Sequence, residues 1–260
     1  MKSMPAWFIG HGSPMNAIED NEFTEQWSEL GKTLPRPEAI LCISAHWETK
    51  GTKVTAMEKP RTIHDFSGFP GPLYEVQYPA PGSLWLSDEV RTLITSTRVD
   101  PDLHWGLDHG CWSVLCRMYP EADIPVVQLS LDYLADTRDH HDLAKALKPL
   151  REKGVLILGS GNLIHNLGMV AWDKLDEPGF GFDWAIEAND LFKQLIRAND
   201  VDRLCNLSGL GLAAQKAVPT PEHFLPMLYV MAVRGPDEQI RFFNDRAVGG
   251  SLTMTSFQVG

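Results

Sequence analysis

The chain has 260 residues, 43% of them hydrophobic, enough to bury one substantial core, and α/β folds of this length commonly form a single domain. Its 34 acidic against 23 basic residues give a formal charge of −11, which argues against nucleic acid phosphates and anionic membrane surfaces as partners. The four cysteines, Cys42, Cys111, Cys116 and Cys205, lack the paired spacing of a disulfide framework or a zinc ribbon and read as buried thiols in a reducing compartment.

The amino end, MKSMPAWFIGHG, carries too short an apolar run for a signal peptide or a membrane span, so a cytoplasmic location is expected. Apolar residues at 6–9 predict a buried strand that runs through Gly10 into His11, in GHGSP. A second strand at 40–44 runs into His46, in SAHWE. In open α/β sheets ligands gather beyond the carboxyl ends of strands, so both histidines stand where a site forms. The stretch 63–82 is rich in Pro, Gly and aromatics and predicts a long loop of the functional kind. Within it His64 either contacts substrate or ties down its loop. Phe66, Phe69 and Tyr74, together with Trp47, offer either a pocket wall for a flat ring or ordinary core; His64, Phe66 and Trp47 are the substrate-binding candidates.

Ser83 followed by Leu86, Val90, Leu93 and Ile94 predicts a helix. In DHGCW, Asp108 caps an amphipathic stretch through Val114, Leu115 and Met118. The helix dipole there disfavours an imidazolium, so His109 is either a neutral base or hydrogen-bond partner, or a structural neighbour of the cap. A strand at 126–131 precedes a helix carrying Leu143, Leu147 and Leu150, which stops at Gly154. His140 and His141, among Asp and Arg, read as structural residues on that helix's surface, and His104 as structural beside Trp105. The strand at 155–158 leads through GSGN, small enough for close backbone approach, to His165. Asp183 as cap, with Trp184, Ala188, Leu191, Phe192, Leu195 and Ile196 on one face, predicts a long helix. Thr220 as cap and Pro221 at the first helical position place His223 in the first turn of a helix with Phe224, Leu228 and Met231. A last strand spans 252–259.

Strand and helix alternate without repeat or linker, so residues 1–260 are expected to form one α/β domain, a mostly parallel or mixed central sheet covered by helices on both sides. Each histidine alone reads as a satisfied core or loop residue as readily as a ligand. Taken jointly, His11, His46, His165 and His223, each beside Gly, Ser or Pro at an element's end, are candidates for one shared metal site.

Six motifs in a single order, GHGSPMNAIEDN, ISAHWETKGTKVTA, TIHDFSGFP, LDHGCWSVL, GSGNLIHNL and PTPEHFLPMLYV, resemble the LigB-type (class III) extradiol dioxygenases, in the 4,5-DOPA dioxygenase extradiol branch. The resemblance runs from His11 to the SLTMTSFQVG tail. It implies metal ligands at His11, His46 and His223, with His165 a fourth ligand or the acid/base group beside the metal, and a catalytic His109 facing the substrate. The class commonly holds Fe(II) with two histidines and a glutamate, whereas the matching position is His223, preceded by Glu222. An all-histidine set suits Zn2+ at least as well, so the expectation is one divalent metal per chain, Zn2+ as purified and Fe2+ for turnover. The implied reaction opens a catechol such as DOPA with O2 to a muconic semialdehyde, in a monomer or small homo-oligomer. Two rivals share the ligands, a zinc-dependent hydrolase and a non-catalytic metal-binding or signalling relative. Retention of both His109 and His165 speaks against the second.

Overall fold

Residues 3–260 are described by a computed structural model. In chain order the elements are β1 (Ala6–Gly10), α1 (Glu22–Thr33), β2 (Ala39–Thr49), β3 (Thr52–Thr55), α2 (Gly71–Tyr74), α3 (Leu84–Leu93), β4 (Val99–Asp102), α4 (His109–Met118), β5 (Val126–Asp132), α5 (Thr137–Ala144), α6 (Lys148–Glu152), β6 (Val155–Gly161), α7 (Asp183–Ala198), α8 (Val201–Leu204), α9 (Leu212–Ala217), α10 (Leu225–Ala232), β7 (Ile240–Phe243), β8 (Ala247–Val248), β9 (Leu252–Thr253) and β10 (Ser256–Val259). An eight-stranded sheet has the order β4-β3-β5-β2-β6-β1-β10-β7. Its centre is parallel, with β1 and β2 both parallel to β6 and β2 parallel to β5. Antiparallel pairs, β1 with β10, β10 with β7 and β3 with β5, complete a mixed sheet.

The central strands bury both faces, as strands covered by helices on either side must. Side chains alternate across a strand, so Ala6, Phe8, Leu41, Ile43, Val155 and Ile157 join one core while Trp7, Ile9, Ile40, Cys42, Leu156 and Leu158 join the other. The first core is closed by residues of α3, α7, α9 and α10, the second by Trp27 of α1 and by Cys111, Trp112 and Leu115 of α4. The parallel strands point their carboxyl ends to one edge. Backbone pairing aligns Ser44 and Ile9 with Ser160 there.

Several local expectations need correction. The strand at 40–44 does not end before His46 but continues to Thr49, with a register shift between Ile43 and Glu48, so His46 lies within an irregular strand. Helix α7 is capped by Phe182, with Asp183 its first residue. Thr220 does not cap a helix: its hydroxyl donates to Glu222 Oε1 at 2.8 Å, and α10 begins two residues after His223. The stretch 252–259 breaks into β9 and β10 because the Met254 N–H turns to Arg246 O at 2.9 Å. His140 and His141 are buried, not on a helix surface, because α5 packs its histidine face under α10, where His140 Nδ1 meets the Tyr229 hydroxyl at 2.9 Å. Among the described residues no helix is long and apolar enough to cross a membrane.

Candidate metal centre

His11 leaves β1 at the carboxyl edge and is 1% exposed. Its Nδ1 lies 2.9 Å from Ser160 Oγ, and that hydroxyl spends its one proton on the Gly110 carbonyl. Ser160 therefore has only lone pairs for His11, so His11 Nδ1 carries the hydrogen and Nε2 is left with a free lone pair. That Nε2 faces His46 Nε2 at 3.1 Å. Two metal–nitrogen bonds of about 2.0–2.1 Å meeting at right-angled to tetrahedral geometry span roughly 2.9–3.4 Å, so the pair is spaced as ligands of one ion would be.

His223 is held from behind through its backbone. Its carbonyl accepts from Asn162 N at 2.9 Å, and a Cβ at Gly161 would sit 2.1 Å from that same oxygen. Only glycine lets the end of β6 come so near. The His223 ring stands 5.1 Å from that of His11 and 5.0 Å from that of His46. Its Nδ1 is buried with no hydrogen-bond partner among the described residues, an unmet polar atom that a bound cation would satisfy. His165 stacks on it at 3.4 Å with the ring planes 10° apart.

His109 opens α4, capped by Asp108, whose carboxylate accepts from Cys111 N at 3.1 Å. Asp108 is itself gripped by Ser44 Oγ and Gln128 Nε2, each at 2.7 Å. Gly110 lets α4 lie flush on β2, since a Cβ there would meet Ser44 Oγ at 2.4 Å and His46 Cδ2 at 2.9 Å. The His109 ring consequently lies 3.9 Å from that of His46 and 5.6 Å from that of His11.

Burial first, and then mutual repulsion, push His11, His46, His165 and His223 toward the neutral form. His11 and His223 titrate far below the ordinary histidine range, His46 is lowered to about 3 and His165 to about 4. Neutral imidazole is the metal-binding form. Donor atoms of His11, His46 and His109 lie within 4.8 Å of one another, and so do those of His165, Glu222 and His223. The expected trio of His11, His46 and His223 thus spans the two groups, joined by the ring contacts of His223. The donor set, soft enough for Zn2+ or Fe2+ and free of a cysteine, fits a divalent transition metal.

Beside the histidines, Phe66 contacts His109 at 5.5 Å between ring centroids, and Tyr74 and Trp112 stand 5.2 and 6.2 Å from Phe66. His64 joins this aromatic wall through Trp112 at 5.5 Å and ties its own loop by pairing Nε2 with Val76 O at 3.0 Å. Trp47 is placed differently: it is buried and stacks on Trp105 at 5.6 Å, outside the group of histidine rings.

Residues 5–248 match the family described as the catalytic LigB subunit of aromatic ring-opening dioxygenase. The chain belongs to the LigB family. A "4,5-DOPA dioxygenase extradiol" of Escherichia coli K12 is 44% identical over 99% of this chain and 95% of its own length. One of that name from Beta vulgaris is 36% identical over 97% of this chain and 95% of its own. The crystal structure of an uncharacterized Escherichia coli K12 protein superposes with a TM-score of 0.86 at 41% identity, covering 99% of this chain and 100% of that one. This LigB member is therefore an enzyme of a ring-cleaving dioxygenase family with the α/β fold expected for it.

Sequence reasoning missed the residues that orient the histidines. Ser160 lies at the end of β6, in the GSGN stretch read from the sequence only as a small-residue turn, although its hydroxyl sets the tautomer of His11. Asp65 lies inside the TIHDFSGFP motif and takes both His109 N and His109 Nδ1 at 2.8 Å. Burial opposes its ionisation, yet the hydrogen bonds from His109 hold it below the usual carboxylate range.

Proposed function

We propose that this enzyme opens the ring of a catechol such as DOPA with O2, giving a muconic semialdehyde, with one divalent metal held by His11, His46 and His223. The observation that carries the reading is the 3.1 Å approach of the His11 and His46 Nε2 atoms within a cluster of buried and half-buried histidines. The names of the Escherichia coli and Beta vulgaris relatives support the substrate class.

When bound, Fe(II) supplies the Lewis acidity and the electron relay between catechol and O2 that redox-inactive Zn2+ lacks, and Zn2+ remains the metal an all-histidine set retains on purification. The chain's own residues do the rest. Phe66, Tyr74 and His64 wall the approach to the histidines with aromatic faces, suited to a flat ring and to excluding water. His109, with Nδ1 engaged by Asp65, offers Nε2 to a phenolic proton. His165, kept neutral by burial beside His223, is a second proton acceptor and, once charged, a donor to the departing oxygen. The protein works in a reducing compartment such as the cytoplasm, where its free cysteines persist.

Metal analysis of alanine variants tests the assignment. His11→Ala, His46→Ala and His223→Ala should each lose metal and activity together. His109→Ala should keep its metal while O2 uptake per bound iron falls by about 10² to 10⁴. Full metal content in any of the first three would remove that residue from the ligand set, and turnover of His109→Ala within about threefold of the parent would remove its acid/base role.

A further inference from the structure

The His109 ring is anchored by one carboxylate at two points. Asp65 Oδ1 accepts the His109 backbone N–H at 2.8 Å and Asp65 Oδ2 meets His109 Nδ1 at 2.8 Å. An ionised carboxylate only accepts hydrogen bonds, so the second contact requires a hydrogen on Nδ1. A neutral ring with its hydrogen on Nδ1 presents a bare lone pair at Nε2. No hydrogen-bond partner for Nε2 occurs among the described residues.

Asp65 is itself immobilised by the protein. On its amino side, the Ile63 carbonyl accepts Trp112 Nε1–H at 2.8 Å, and Trp112 lies one turn beyond His109 on the same face of α4. His64, next to Asp65 on the same side, closes the loop on itself by pairing Nε2 with Val76 O at 3.0 Å. The two Asp65 bonds to His109 and the Trp112 bond to Ile63 fasten this loop to a single turn of α4. The alternative role, orienting His46, is weaker: His46 Nδ1 stands 3.6 Å from Asp65 Oδ2, beyond hydrogen-bond reach.

We propose that Asp65 is the positioning residue of this site, locking His109 in the Nδ1–H tautomer so that Nε2 faces the substrate as a proton acceptor. The inference rests on the dioxygenase reading for the identity of the proton donor. Asp65 touches no reacting atom and works through His109, as the buried aspartate of a catalytic triad works through its histidine.

Asp65→Asn separates shape from tautomer. The amide fills the same space, still accepts the backbone N–H through its oxygen, and donates from its nitrogen to His109 Nδ1, which forces the ring hydrogen onto Nε2. The variant should keep its metal content and melting temperature, while kcat for catechol cleavage falls by about 10² or more with KM little changed. In a His109→Ala background the same substitution should change turnover by less than about threefold, because residues acting through one contact are not additive. An effect of Asp65→Asn that persists without His109, or that arrives as metal loss, overturns the proposal.

A second readout needs no turnover. Two-dimensional 1H–15N spectra of the imidazoles in the metal-free protein, with the His109 signals assigned by their loss in His109→Ala, report which ring nitrogen carries the hydrogen. The parent should give the Nδ1–H pattern, and Asp65→Asn the Nε2–H pattern. An Nε2–H ring in the parent overturns the proposal whatever the variants do. If the parent fails to consume O2 with any catechol, the dioxygenase reading falls, and the spectra still decide whether Asp65 governs His109.

Discussion

The Nε2 atoms of His11 and His46 lie 3.1 Å apart although β6 runs between the two strands that carry them. Strands two places apart are separated by about 9–10 Å, so both rings must lean over the end of the intervening strand. That end is Gly159, Ser160 and Gly161, the smallest side chains available, and its one hydroxyl is the partner of His11 Nδ1. The same three residues therefore make room for the site and orient one of its ligands.

Ser160→Ala is expected to weaken metal binding by roughly 10- to 100-fold, the usual effect of removing a group that orients a ligand. The loss arises because His11 Nδ1 would have no acceptor at 2.9 Å and the ring could rotate or change tautomer. Chelator competition on the folded variant measures it. Unaltered affinity would show that packing alone fixes His11.

Gly161→Ala should be more damaging than its size suggests. The new methyl would meet the His223 carbonyl oxygen at 2.1 Å, and a backbone atom cannot swing aside as a flexible side chain can. Crowding of this kind costs about 1–3 kcal/mol, and here the relief of strain moves a proposed ligand. We expect a lower melting temperature and reduced metal content. Gly71→Ala, where nothing lies within 4 Å of the new Cβ, is the control and should change neither. Equal metal content in both variants would contradict the role given to Gly161.

Acid should destabilise the metal-free protein in a defined window. Burial, then His109, holds His165 at about 4, and burial, then His109, holds His46 at about 3, against an ordinary value of 6.5. Between those values the unfolded chain binds more protons than the folded one, so stability present above pH 6.5 is lost as pH falls toward about 4 and 3. Each such histidine contributes a slope of up to about 1.4 kcal/mol per pH unit. Urea melts of the metal-free protein at about pH 7 and about pH 5 test this, and His165→Asn should flatten the slope. Equal stability at the two pH values would contradict it.

What could be read from the residues divides along physical lines. The buried strands were legible because an apolar run broken by Gly or Ser marks a strand and its edge; β1 with His11 is the clear case, whereas β6 runs on through Gly159, Ser160 and Gly161, which were read as a turn. His46 was singled out for a partly wrong reason, since it lies in an irregular stretch of a longer β2, and not at a strand end, where its ring meets that of His11. The placement of His140 was misjudged because its charged neighbours hid a face that packs under Tyr229. Asp65 escaped because its partner His109 is 44 residues away, across a loop with no periodicity to fix its direction. Trp47, for which the residues left pocket wall and ordinary core open, is buried with its ring against Trp105.

The central claim, metal-dependent ring opening at the histidine cluster, is tested most directly by loading the metal-free protein with Fe(II) under anaerobic conditions and following O2 uptake and product absorbance with DOPA and simpler catechols. The account predicts about one O2 consumed per catechol, a ring-opened semialdehyde chromophore, and no such turnover with Zn2+, which cannot relay electrons. Absence of O2 uptake with every catechol from the iron-loaded protein, alongside ester or amide hydrolysis by the zinc-loaded one, would contradict it.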